Sequence, residues 1–152
     1  MKKFKKFVKK NISYIVIGVL LVVFLGFIFV FGSGGKRVES STNVKEWLTD
    51  TKSDVYVVTV LAQTSCPHCI AYKPMIEEVK KSSDFKLYWF EMDTISNSKD
   101  YNIIEKSYEL KEYNGNPYTF ITKNGQVVAH LSGRTKDANG FREFLVKSNV
   151  IK

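Results

Sequence analysis

The chain has 152 residues, 44% of them hydrophobic and 14% aromatic, ample for a packed core and too apolar for wholesale disorder. Its formal charge of +8 is concentrated: the first ten residues hold six lysines, and removing those six from the 23 basic residues leaves 17 against 15 acidic ones. That balance gives no support to a basic groove for DNA or RNA, and two cysteines exclude a disulfide-dense miniprotein.

Residues 1–11 form a basic segment, and residues 12–31 follow without a single charge. Twenty residues at a rise of about 1.5 Å each span roughly 30 Å, the thickness of a bilayer's hydrocarbon core, so a transmembrane helix is predicted. A buried helix of a soluble domain would be shorter and would carry a polar stripe. Lysines before a first span stay in the cytoplasm, which predicts a single-pass membrane protein whose C-terminal domain is extracytoplasmic. A cleaved secretory signal shares the basic and apolar pattern, but the apolar run is long for that role and no A-x-A site follows it. Residues 32–43, opening on Gly32-Ser33-Gly34-Gly35, read as a flexible linker, and the folded domain is expected over 44–152.

Within that domain, residues 44–48 have a short helical pattern with Thr42 or Asn43 as N-cap. Residues 54–62 are β-branched and nearly all apolar, the pattern of a central strand covered on both faces. A helix is predicted over 67–82, a second buried strand over 86–92 and a helix over 99–112. Strands at 117–122 and 126–131 are joined at Lys123-Asn124-Gly125, where Asn-Gly signals a tight hairpin. An amphipathic helix over 136–147 closes the chain, with Phe141, Phe144 and Leu145 on one face. Alternating elements of this kind build an α/β sandwich with a mixed central sheet flanked by helices.

The two cysteines, Cys66 and Cys69, sit two residues apart where a central strand gives way to a helix. Unpaired backbone N–H groups and the positive end of a helix dipole favour a thiolate at Cys66, the form that attacks disulfides. Cys69, one turn further in, is expected to be more buried and to resolve a mixed disulfide. Pro67 fits the first helical turn, where its missing donor costs nothing, and a protonated His68 would add positive charge beside the sulfur. Two other readings compete. A stapling disulfide across so short a loop constrains the unfolded chain little. A zinc site lacks ligands, because only His68 and His130 supplement the thiols. His130 reads as a rim residue, Trp47 and Trp89 as core, Tyr72 and Lys73 as residues just past the site, and Glu77 and Glu78 as a solvated helix face.

Cys66-Pro67-His68-Cys69, Pro74 five residues beyond it, Asn116-Pro117 before a strand, and the spacing from Lys123-Asn124-Gly125 to Gly133 together resemble the thioredoxin superfamily over residues 44–152. The resemblance implies a thioredoxin fold and protein-disulfide oxidoreductase activity, with no cofactor beyond a redox-active Cys66–Cys69 disulfide. It also implies that Pro117 is the family's cis-proline, and that Pro117 and the backbone of Asn116 receive substrate beside Cys66. Two positions depart from the family: Val60 stands where thioredoxins carry a buried acid, and Ser65 where they carry tryptophan. The missing acid predicts slow reduction, and the Pro-His dipeptide resembles that of oxidising DsbA-like proteins. The expected partners are protein or peptide thiol and disulfide clients and a membrane electron-transfer partner, with no nucleic acid, the chain acting as a monomer. The Lys- and Asn-rich, Cys-poor composition points to a Gram-positive bacterial surface. An accessory protein that binds a secreted peptide such as a bacteriocin during export or maturation is the alternative.

Overall fold

A computed structural model describes residues 37–110 and 113–152. The predicted cytoplasmic segment (1–11), the membrane helix (12–31) and the glycine joint (32–35) lie outside the described residues. Among the described residues no helix is long and apolar enough to cross a membrane.

The elements run α1 (Val44–Thr51), β1 (Val57–Ala62), α2 (Pro67–Ser82), β2 (Lys86–Glu91), a single 3₁₀ turn (Met92–Thr94), α3 (Ser98–Lys106), β3 (Tyr118–Lys123), β4 (Gln126–Ser132) and α4 (Ala138–Lys147). The four strands form one sheet in the order β2-β1-β3-β4, with β1 parallel to β2 and both other pairs antiparallel. All six residues of β1 are buried, as its unbroken apolar run requires of a strand covered on both faces. The two-residue alternation sorts its side chains. Val58, Val60 and Ala62 join Cys69, Tyr72, Ile76, Phe141 and Leu145 in the core beneath α2 and α4. Val57 and Leu61 join Trp47, Phe90, Ile104, Tyr118 and Phe120 in the core beneath α1 and α3.

Asparagine and aspartate side chains cap these helices, the first at one of the two positions expected. Asn43 accepts the Glu46 N–H at 3.0 Å to start α1, and Asp137 does the same for Gly140 at 2.9 Å in α4; each satisfies a donor the helix leaves unpaired. The hairpin turn places Asn124 at φ 52° and Gly125 at φ 74°, the two left-handed conformations that a type I′ connection needs. Its tip docks on the loop after α1, with the Asn124 N–H donating to the Ser53 carbonyl at 2.7 Å.

Several boundaries differ from the sequence reading. Packing begins before residue 44: Val38 is only 5% exposed and donates its N–H to Glu77 Oε1 at 3.0 Å. Ser41 bonds both backbone groups of Trp89, its N–H reaching the carbonyl at 2.7 Å and its Oγ accepting the N–H at 3.0 Å. β2 is an edge strand, and residues 38–41 cover part of its unpaired side. Glu77 is thus engaged and half-buried rather than part of a freely solvated face. The strand predicted from 54 starts at Val57, because residues 53–55 bend beneath the hairpin tip. The helix predicted to 112 stops at Lys106; Tyr108 and Leu110 leave the helical path to pack on the core beneath α1 and α3. The closing helix starts at Ala138 because Asp137 is its cap.

Candidate active site

The register brings the site together. Leu61 pairs with Tyr118 across β1 and β3, so the loop leaving β1 lies beside the segment entering β3. Tyr118 pairs with Ser132 across β3 and β4, which sets Gly133 against Pro117. Three chain segments far apart in sequence thus converge at one end of the sheet.

Cys66 is the N-cap residue of α2, in extended conformation, and its Sγ accepts the Cys69 N–H at 3.2 Å. A sulfur performs here the task usually given to a serine or aspartate oxygen, and any negative charge on it faces the positive end of the helix. Pro67 occupies the first helical position and has no donor to leave unpaired. The Cys66 thiol also lies 3.5 Å from the Asn116 carbonyl oxygen, to which it donates. The Asn116–Pro117 peptide is cis, and the Pro117 carbonyl accepts the Gly133 N–H at 2.9 Å. Tyr113 donates its hydroxyl to Asn116 Oδ1 at 3.3 Å, which ties the loop to the segment before it.

The two cysteines, both free thiols in the structure, occupy different environments. Cys66 is half-buried, whereas Cys69 is 1% exposed among Val60, Tyr72 and the rest of that core. Burial pushes the Cys69 thiol up to about 12, with a hydrogen bond to Cys66 and the negative fields of Cys66 and Asp93 acting in the same direction. A backbone hydrogen bond at Gln63 opposes them without reversing the shift. Cys69 therefore holds its proton at neutral pH.

Of the other residues singled out in the sequence, His68 is exposed on the first turn of α2, on one wall of a groove of about 450 Å³. Asn116, Pro117, Gly133, Arg134 and Lys136 line the rest of it together with Thr135. Val60 is fully buried, an aliphatic side chain in the core beneath α2 and α4. Tyr72 is also fully buried, its hydroxyl 3.3 Å from Thr119 Oγ1, which makes it core rather than docking surface. Lys73 pairs with Glu91 at 3.3 Å and lies over the Trp89 ring. His130 stacks on Tyr118 in the middle of β4, on the far side of that strand pair from the thiols. Among the described residues no group of three or more His, Cys, Asp or Glu side chains is arranged to hold a metal.

Some site residues escaped the sequence reading. Asp93, after β2, accepts the Thr64 N–H at 3.0 and 3.1 Å through its two oxygens and also takes the Thr64 hydroxyl. Those bonds hold its carboxyl below the usual range and fix the loop that delivers Cys66. Ile70, the residue after Cys69, is an apolar side chain 62% exposed near the start of α2. Both lie at ordinary-looking positions, and only the fold brings Asp93 to Thr64.

No protein-family model matches this chain, and no curated protein does. Solved structures do. Thioredoxin from Trypanosoma brucei brucei superposes with a TM-score of 0.57 at 16% identity, over 76% of this chain and 93% of its own. Mitochondrial thioredoxin 3 from Saccharomyces cerevisiae gives 0.54 at 17% identity, over 72% of this chain and 94% of its own. Thioredoxin F from spinach chloroplast gives 0.51 at 17% identity, over 72% and 92% respectively. At such identities the likeness establishes the thioredoxin fold.

Proposed function

We propose that a chain with the thioredoxin fold and this dithiol is an extracytoplasmic protein-disulfide oxidoreductase, and that it exchanges disulfides with protein or peptide clients through Cys66 and Cys69. The observation that carries the reading is the asymmetry of the pair. One sulfur caps a helix within reach of the cis-proline loop, and the other is buried with its proton held. A stapling disulfide has no use for that difference, whereas a two-step exchange depends on it.

In the oxidising direction, a client thiolate attacks Cys66 Sγ of the Cys66–Cys69 disulfide. A client–Cys66 disulfide forms, the Cys66–Cys69 bond breaks, and Cys69 leaves as a thiolate that takes up a proton. A second client thiolate then attacks the client sulfur of the mixed disulfide, and Cys66 departs as the thiolate. Two electrons pass from the client dithiol to the pair, and the client leaves with its own disulfide. A membrane electron-transfer partner that accepts two electrons resets the pair. In the reducing direction the same steps run backwards: Cys66 attacks and Cys69 resolves.

Pro117 and the Asn116 backbone are assigned the client groove beside Cys66, Pro67 the helix start, and His68 the tuning of the pair through its positive charge when protonated. Oxidation is favoured over reduction, because the Pro-His dipeptide resembles that of oxidising relatives and Val60 offers no proton relay to the buried thiol. The lysine-rich segment before the apolar stretch supports a membrane anchor with the domain outside the cytoplasm.

The test is a trap. With Cys69→Ala in the full chain, Cys66 should accumulate mixed disulfides with clients, released by dithiothreitol and separable on non-reducing gels. A Cys69→Ala chain that carries none, while Cys66→Ser leaves client maturation intact, replaces the redox reading with the peptide-binding one.

A further inference from the structure

The groove beside Cys66 carries charge that the exchange chemistry does not use. Its floor is backbone: Gly133 has φ +78°, and a Cβ built there would meet nothing within 4 Å. Its rim holds two cations, Arg134 and Lys136, both exposed. Neither makes an ion pair among the described residues. Arg134 spends one donor on the Thr135 carbonyl at 3.2 Å, leaving most of its fork open. Asp137, the acid of the same loop, has Oδ1 committed to the Gly140 N–H. Asp93 is bound to Thr64 on the loop that precedes Cys66, a different segment from this rim.

The remainder of the chain after its first ten residues is nearly neutral, so two cations on one rim of the site, without an ion pair among the described residues, are not a by-product of a basic surface. An extended peptide lying along Asn116–Pro117 with its cysteine at Cys66 carries its flanking side chains past this rim, at about 3.3 Å per residue. Carboxylates there meet a guanidinium that suits planar, bidentate pairing and an ammonium close by.

We propose that the groove selects clients whose reacting cysteine is flanked by aspartate or glutamate, with Arg134 and Lys136 as the residues that read those carboxylates. This rests on the oxidoreductase reading in taking Cys66 as the reacting sulfur. Rim charges of this kind act mainly on the rate of encounter and fade with salt.

The experiment uses the full chain carrying Cys69→Ala in a neutral detergent, with three peptides identical except for Glu, Gln or Lys on either side of a single cysteine. Each peptide cysteine is activated as a disulfide with thiopyridine. The Cys66 thiolate attacks the peptide sulfur, the Cys66–peptide disulfide forms, and thiopyridine leaves as the chromophore that is read. At low ionic strength the Glu peptide should react about tenfold faster than the Lys peptide, with Gln between them. In about 1 M salt, where the screening length is near 3 Å, the ratio should fall below about twofold. Adding Arg134→Glu and Lys136→Glu together should reverse the order. Equal rates for the three peptides, or an order unchanged by the double substitution, overturn the inference and leave the oxidoreductase reading standing. A chain that releases chromophore from none of the peptides overturns both.

Discussion

Alkylation should separate the two thiols of the pair by a large factor. With Cys69 pushed up to about 12, roughly one thiol in ten thousand is ionised at pH 8, against about a quarter for a free cysteine near 8.5. Ionisation alone therefore slows Cys69 by about two thousandfold, and its 1% exposure restricts access further. Cys66→Ser isolates the effect. The substitution removes the negative field that Cys66 contributes and puts a hydroxyl in place of its sulfur, but burial, the largest cause of the shift, remains. Iodoacetamide labelling of the native Cys66→Ser chain, followed by peptide mass analysis, should show Cys69 at least about a hundredfold slower than a free thiol. The same residue in denaturant should react at the free rate. Native Cys69 reacting within about tenfold of a free thiol would refute the reasoning, since the asymmetry on which resolution depends would be absent.

Three further outcomes follow from particular contacts. Asp50 accepts hydrogen bonds from Tyr88 and Lys86, and although burial opposes it, these hold its carboxyl below the ordinary range. Asp50→Asn should cost about 1–2 kcal/mol in urea unfolding, and the native chain should lose this stabilisation as pH falls below about 4. At the alkaline end the sign is opposite: burial raises Cys69, Tyr72 and Tyr88, so the native state keeps protons that the unfolded chain releases. These three groups should leave stability unchanged up to about pH 8 and lower it above that, by at most about 1.4 kcal/mol per pH unit for each group; a rise in midpoint between about pH 9 and 10.5 would contradict this. Thr64→Val removes the hydroxyl held by Asp93 while sparing the backbone bond, so peptide exchange at Cys66 should slow severalfold with a denaturation midpoint close to the native one.

Local chemistry made much of this legible before the fold was known. Asn124-Gly125 dictates its own turn, and Cys66-Pro67-His68-Cys69 announces a helix start, because proline is well tolerated in a first helical turn. β1 could be recognised as central, since six buried residues in a row leave no face for water. Contacts that depend on distant segments meeting were not legible. Asp93 lies 29 residues from Thr64, and neither residue signals that it anchors a loop. Ser41 is an ordinary polar residue until the edge of β2 needs a partner for Trp89. Tyr108 and Leu110 continue the apolar spacing of α3, so periodicity extends the helix. Tertiary packing on Trp47 and Phe120 draws Tyr108 away instead, with ring centroids at 6.0 and 5.8 Å. Nothing in the sequence singles out Arg134, and Lys136 reads there as the start of the closing helix; only the pairing of β3 with β4 sets their loop beside Pro117.

Disulfide exchange requires Cys66 and Cys69 to be a reversible two-electron couple. Equilibrating the full chain against defined ratios of reduced and oxidised glutathione, and counting free thiols after acid quench, measures its potential directly. A single two-electron transition above about −200 mV is predicted, in the range of disulfide donors. A transition between about −200 and −300 mV would reverse the favoured direction, and one below about −300 mV, where structural disulfides lie, would contradict the central claim.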